Sequence, residues 1–219
     1  MPLPPKTRAL RKYEAAATPQ LTLGEAQQAL DFYSPFGPMI AKARLPQALI
    51  DRLNGWADGV ANPDKSTEFL VPEAVFAAGG RESLAQIATG HITRYLEGLE
   101  GSRAEQIGFE VFWVVSQYAG TSSPVHFHSS DIAGVLYLKV PQIDAAQESR
   151  TYISGRNAGY INFIAGGKQR FAKSIISFKP EVGDLYLFPG WLLHVAEPFI
   201  GNGERRSLSF NARVAVAGD

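Results

Sequence analysis

The chain has 219 residues, 45% of them hydrophobic and 19% charged, which suits one large globular domain. Its 21 basic residues balance 21 acidic ones, so no overall field draws it to nucleic acid or an anionic membrane. Cysteine is absent, which excludes disulfides, thiolate metal sites and cysteine nucleophiles and fits a reducing interior.

Residues 1–32 are rich in proline, then alanine and glutamine, and read as an irregular arm. The arm is basic but has no apolar run of signal-peptide length, and no later run approaches a membrane span. A cytoplasmic protein is therefore expected. "GPMIAKARL" reads as a short strand. Pro46 opens a helix in "PQALIDRLNGWADGV", where Leu49, Leu53, Trp56 and Val60 recur at helical spacing. A second helix is predicted in "ESLAQIATGHITRYLEGLE", with Leu84, Ile87, Tyr95 and Leu99 on one face and Gly101 just past its end. Residues 33–108 thus read as a helical support.

From Phe109 onward the texture changes to short runs of Val, Ile, Phe and Tyr, broken by Gly, Pro, Asn and Ser clusters. Several runs are apolar at successive positions, as in strands covered on both faces. A single domain is expected, mainly β (α+β), with the helices covering one sheet of a β-sandwich built from residues 109–214. The polar stretch "PQIDAAQESRTYISGRNAG" reads as a lid.

The chemistry concentrates in three pieces. In "SSPVHFHSSD", His126 and His128 stand two apart, so on a strand their imidazoles project from one face while Phe127 turns the other way, into the packing. His194, at the end of "LYLFPGWLLHV", can bring a third imidazole from a distant strand. Such a set leaves metal positions open for a co-substrate and O2, as a non-haem Fe(II) oxygenase needs. His91 lies on the apolar helix face and reads as a packed residue rather than a ligand. Asp131 reads as a turn residue, with partner of a ligating imidazole as the rival.

Eleven residues past His194 comes Arg205, followed by Ser207 at strand period. A guanidinium grips a carboxylate with two parallel hydrogen bonds, and a neighbouring hydroxyl adds another. Arg206 competes for this role, but it shares its face with Leu208 and Phe210, and Ser207 favours Arg205. Tyr137 and Tyr118 flank the histidine pair in sequence and can donate to the same carboxylate.

Together "HFHSSDIAGVLYLKVP", "KPEVGDLYLFPGWLLHVAEP" and "ERRSLSFN" resemble the 2-oxoglutarate/Fe(II)-dependent oxygenases of bacteria and phages, distant relatives of the prolyl 4-hydroxylases. The resemblance covers about residues 109–214. It implies a double-stranded β-helix, or jelly roll, with the N-terminal helices packed on one sheet. It also implies Fe(II) as cofactor, with 2-oxoglutarate and O2 as co-substrates. His126 matches the first metal ligand and His194 the distal one. Arg205 with Ser207 matches the pair that holds the far carboxylate of 2-oxoglutarate, and Tyr137 matches a tyrosine on that carboxylate. The wider superfamily has an acidic residue where this chain has His128, whereas the subgroup it resembles also reads His-x-His.

The expected function is hydroxylation of a small-molecule or peptidyl substrate, with no nucleic-acid or membrane partner. Two rivals are a three-histidine cupin-type enzyme that does not use 2-oxoglutarate and a non-catalytic metal-binding jelly roll. Oligomeric state is not legible.

Overall fold

The computed structural model describes residues 30–33, 37–99, 103–143, 157–167, 170 and 173–216. In chain order it begins with strands β1 (Asp31–Tyr33) and β2 (Ile40–Arg44), helix α1 (Gln47–Ala57) and strand β3 (Thr67–Leu70). The short helix α2 (Glu73–Phe76) and helix α3 (Leu84–Gly98) follow. Then come β4 (Ala104–Gln117), β5 (Ser123–His126), β6 (Ile132–Lys139), β7 (Gln142–Ile143) and β8 (Ile161–Ile164). The chain closes with β9 (Ile175–Phe178), β10 (Asp184–Pro189), β11 (Leu193–Ala196), β12 (Gly201–Asn202) and β13 (Arg205–Val216).

These strands make the expected jelly roll. A large sheet runs β1-β2-β10-β6-β13-β4-β3, a smaller one β5-β11-β8-β9, and β7 pairs with β12. The large sheet is apolar on both faces because both are covered. Leu136, Leu138, Leu185, Leu187, Leu208 and Phe210 point from it toward Leu49, Ile50 and Leu53 of α1 and Leu84, Ala88, Ile92 and Tyr95 of α3. Val135, Tyr137, Tyr186 and Phe188 point the other way and meet Ile161 and Phe163 of the small sheet. Each fully buried leucine or phenylalanine contributes about 1.5–3 kcal/mol, so both interfaces matter to stability. Gly134 sits opposite Phe210 in register, and a Cβ there would lie 2.1 Å from the Phe210 ring. Only glycine lets β6 pass under that ring.

The first half of the chain is less helical than its sequence suggests. It supplies β1, β2 and β3, and two of these form the edges of the large sheet. Helix α1 ends at Ala57, so Val60 falls beyond it and is 51% exposed. Pro46 takes the N-cap of α1, while the Ser83 side chain caps α3 by accepting from Gln86 N. Most of the predicted lid, the irregular arm before Leu30, and Gly101 lie outside the described residues.

Candidate metal and co-substrate site

Strand pairing assembles the histidines. His126 on β5 stands opposite His194 on β11. His128 lies just past the end of β5, and its N–H donates to Gly190 O at 2.8 Å, which ties it to the turn between β10 and β11. The ring centroids are 4.2 Å apart for His126 and His194, and 5.1 Å from His128 to each of them. One ligand nitrogen from each ring lies within 4.8 Å of the others, so the three can hold one metal ion.

The hydrogen bonds also set which nitrogen faces that ion. His126 Nδ1 lies 2.6 Å from Pro124 O and His194 Nδ1 lies 2.9 Å from Leu192 O. A carbonyl only accepts, so each Nδ1 carries the hydrogen and each Nε2 keeps its lone pair free. Burial, with His126 adding to it, pushes the His128 imidazole down to about 4. Burial dominates at His194 as well; His126 and His128 add to it, the Leu192 carbonyl opposes, and the result is about 3. Both rings are therefore neutral at pH 7 and need not release a proton to bind a cation. Three imidazole nitrogens suit a borderline divalent ion and leave other coordination positions open.

Phe127 corrects the sequence reading. It was expected in the packing but is 63% exposed. β5 is the edge strand of the small sheet, and the outward faces of Phe127 and Val125 are left uncovered.

Across the barrel, the register of the large sheet lines up rows of inward side chains. Arg205 of β13 pairs with Gln117 of β4, Ser207 lies between Val115 and Tyr137, Ser209 between Trp113 and Val135, and Asn211 between Val111 and Ala133. The histidines meet this wall at Trp113, whose ring centroid is 5.6 Å from that of His128, and at Phe188, 4.7 Å from His194.

Arg205 is 1% exposed. Gln117 Oε1 accepts from both its Nε, at 3.0 Å, and its Nη2, at 2.7 Å, while the carbonyls of Glu197, Thr121 and Ala196 take further donors. All these acceptors are neutral. Burial lowers the guanidinium's pKa, with Tyr137 and Glu197 opposing. Glu197's own Oε1 is engaged by Asn162 Nδ2 at 2.7 Å. A buried cation held by neutral groups is incompletely compensated, and an incoming carboxylate would supply what is missing. On this test the residues fit a dicarboxylate. Tyr137 stands beside Ser207 in register, its phenol pushed up to about 12 by burial with Arg205 opposing.

The two arginines occupy opposite faces of β13. Arg206 points toward the helices, where it pairs with Glu204 and with Asp58 just past α1 and donates to Asn54 Oδ1. Asp131 is drawn away from the histidines: its carboxylate accepts from Arg213 Nη1 at 3.3 Å and from Val214 N at 2.9 Å. His91 is buried on α3 against Arg94, as expected of a packed residue. Tyr118 is half-buried just beyond β4, and its backbone N–H donates to Ser66 Oγ.

Sequence reading missed Gln117, Trp113 and Gly190. All three owe their place to cross-strand register or a turn contact, and no local pattern in the chain carries that information. A cleft of about 410 Å³ also opens beside His128, walled by Glu68, Leu70, Val111, Trp113 and Asn211.

The fold is a jelly roll in which three histidines that could hold a metal ion share the barrel with a buried arginine. Residues 111–211 match the family described as "Putative 2OG-Fe(II) oxygenase". Enzymes of this family use Fe(II) with 2-oxoglutarate and O2. Among solved structures, the chain is similar to the viral collagen prolyl hydroxylase of Paramecium bursaria Chlorella virus-1, in its complex with 2-oxoglutarate. The TM-score is 0.52 at 16% identity, covering 80% of this chain and 96% of that one. A prolyl-4-hydroxylase of Pseudomonas putida matches with TM-score 0.51 at 15% identity, over 80% and 91% of the two chains. A Trichoplax adhaerens prolyl hydroxylase, bound to a hypoxia inducible factor peptide, matches with TM-score 0.51 at 11% identity, over 80% and 83%. At such identities the shared property is the fold. No curated protein matches by sequence.

Proposed function

We propose that His126, His128 and His194 hold Fe(II), and that Arg205, helped by Ser207 and Tyr137, receives the distal carboxylate of 2-oxoglutarate. The domain then hydroxylates a C–H bond of a small-molecule or peptidyl substrate. The observation that carries this reading is the pairing of three converging imidazole ligand nitrogens with a buried guanidinium that lacks an anionic hydrogen-bond acceptor, both lining one barrel. When bound, iron and 2-oxoglutarate supply the oxidising chemistry: O2 is consumed, the 2-oxo acid becomes succinate and CO2, and one oxygen atom enters the substrate C–H bond.

The chain's own residues orient and shield. The carbonyls of Pro124 and Leu192 fix the tautomers of His126 and His194. Phe163, Phe188 and Tyr186 keep water from the inner side, where electrostatic contacts gain strength. Trp113 and Phe188 pack against the imidazoles and limit their rotation. Tyr118 stays a candidate donor to the same carboxylate. No described helix is long and apolar enough to cross a membrane. The lack of cysteine supports action in a reducing, cytoplasmic setting.

The test is an anaerobic titration. Fe(II) is added to metal-free protein, followed by 2-oxoglutarate, and the visible charge-transfer band of a chelated 2-oxo acid is followed in native protein and in Arg205→Ala. A saturable band that needs far more co-substrate in the variant is expected. Bound iron without any band would refute the 2-oxoglutarate reading and favour the cupin-type rival.

A further inference from the structure

The cleft beside His128 has a one-sided chemistry. β3 closes the large sheet, and register places Leu70 next to Trp113 and Glu68 next to Val115, on the face that looks into the barrel. Leu70 is 68% exposed there, so this end of the barrel is open. The walls are apolar apart from Glu68, Asn211 and His128. Glu68 is the only charged residue lining the cleft, and it makes no ion pair among the described residues. Asn211 Oδ1 is buried without a hydrogen-bond partner. The cleft therefore offers acceptors and no cation.

We propose that this cleft binds the substrate as an amine, a compact apolar body carrying a protonated nitrogen. The nitrogen would pair with Glu68 and donate to Asn211 Oδ1, and the indole of Trp113 supplies a face that also attracts cations. A volume of about 410 Å³ suits one small ring or side chain with its amine. A carboxylate or phosphate here would meet the Glu68 carboxylate with no cation to offset it, and an alcohol could hydrogen-bond to Glu68 and Asn211 but would leave the negative charge uncompensated. The proposal rests on the oxygenase reading only in calling the ligand a substrate.

The test uses metal-free protein and three probes with the same body: 2-phenylethylamine, 2-phenylethanol and 3-phenylpropionate. Binding is measured by ligand-observed NMR titration in native protein, Glu68→Gln and Trp113→Phe, with circular dichroism to confirm each fold. The amine should bind in the millimolar range or better, at least ~10-fold tighter than the alcohol or the acid. Glu68→Gln should bring amine and alcohol to within about twofold of each other, and Trp113→Phe should weaken all three. The proposal is overturned by equal affinities, by a preference for the acid, by an amine preference that survives Glu68→Gln, or by no saturable binding. Neither iron nor 2-oxoglutarate enters this titration, so its failure is distinct from loss of the charge-transfer band.

Discussion

Gln117→Glu tests the co-substrate anchor from the inside. Gln117 Oε1 already occupies the fork of Arg205, accepting from Nε and Nη2 at 3.0 and 2.7 Å. The substitution keeps the side chain's shape and turns that neutral oxygen into a carboxylate, an internal competitor for 2-oxoglutarate. The native bond already has an ionised donor, and ionising the acceptor as well adds a net attraction on the order of 1–2 kcal/mol after the cost of burying the carboxylate. Displacing the new partner should therefore cost about 1–2 kcal/mol more, a ~5- to 30-fold weaker affinity for 2-oxoglutarate. The same bond compensates a buried cation, so the metal-free variant should unfold at the native temperature or above. The assay is the charge-transfer titration, run beside thermal unfolding. A folded Gln117→Glu protein that binds 2-oxoglutarate as tightly as native would refute the assignment of Arg205 as the docking point.

Three further outcomes are expected. Gly190→Ala should weaken metal binding and destabilise the fold by about 1–3 kcal/mol, because the new Cβ would lie 2.1 Å from Ser130 O in the turn that holds His128; metal titration and chemical unfolding check both parts. Arg206→Ala should cost about 1–3 kcal/mol, moderated because Lys139 still pairs with both Glu204 and Asp58, yet leave 2-oxoglutarate affinity within about twofold of native. The metal-free protein should also lose stability in mild acid. Burial holds His91 near 4 and His194 near 3, against 6.5 when unfolded, so the unfolded chain binds more protons below pH 6.5. Stability present above that pH then falls as pH drops, by roughly 3–4 kcal/mol at pH 5 for the two rings together. Denaturant unfolding at pH 7, 6 and 5 reads this directly, and a flat profile would contradict it.

The second half of the fold was legible because successive apolar residues in "IAGVLYLKV" and "DLYLF" match strands covered on both sides, as β6 and β10 are. β3 was not legible: "TEFL" is short and half exposed, and only pairing with β4 makes it a strand. The histidines and Arg205 could be found because two chemically distinctive residue types recur at strand spacing. Gln117 could not, since a glutamine next to an arginine is invisible when 88 residues separate them. Phe127 was misplaced because alternation along a strand says which way a side chain points but not whether anything lies over it.

Strand β13 opens with two arginines whose environments have nothing in common. Arg205 belongs to the barrel and Arg206 to the seam with α1, and one peptide unit separates them. An insertion or deletion of one residue between β12 and Arg205 that slid the strand would exchange the two cations. It would also turn Leu208 and Phe210 into the barrel and Ser207 and Ser209 against the helices. Length variation in that loop is thus confined to changes that leave the strand's phase intact. The docking of the helical layer and the position of the barrel's buried cation are locked to one common frame.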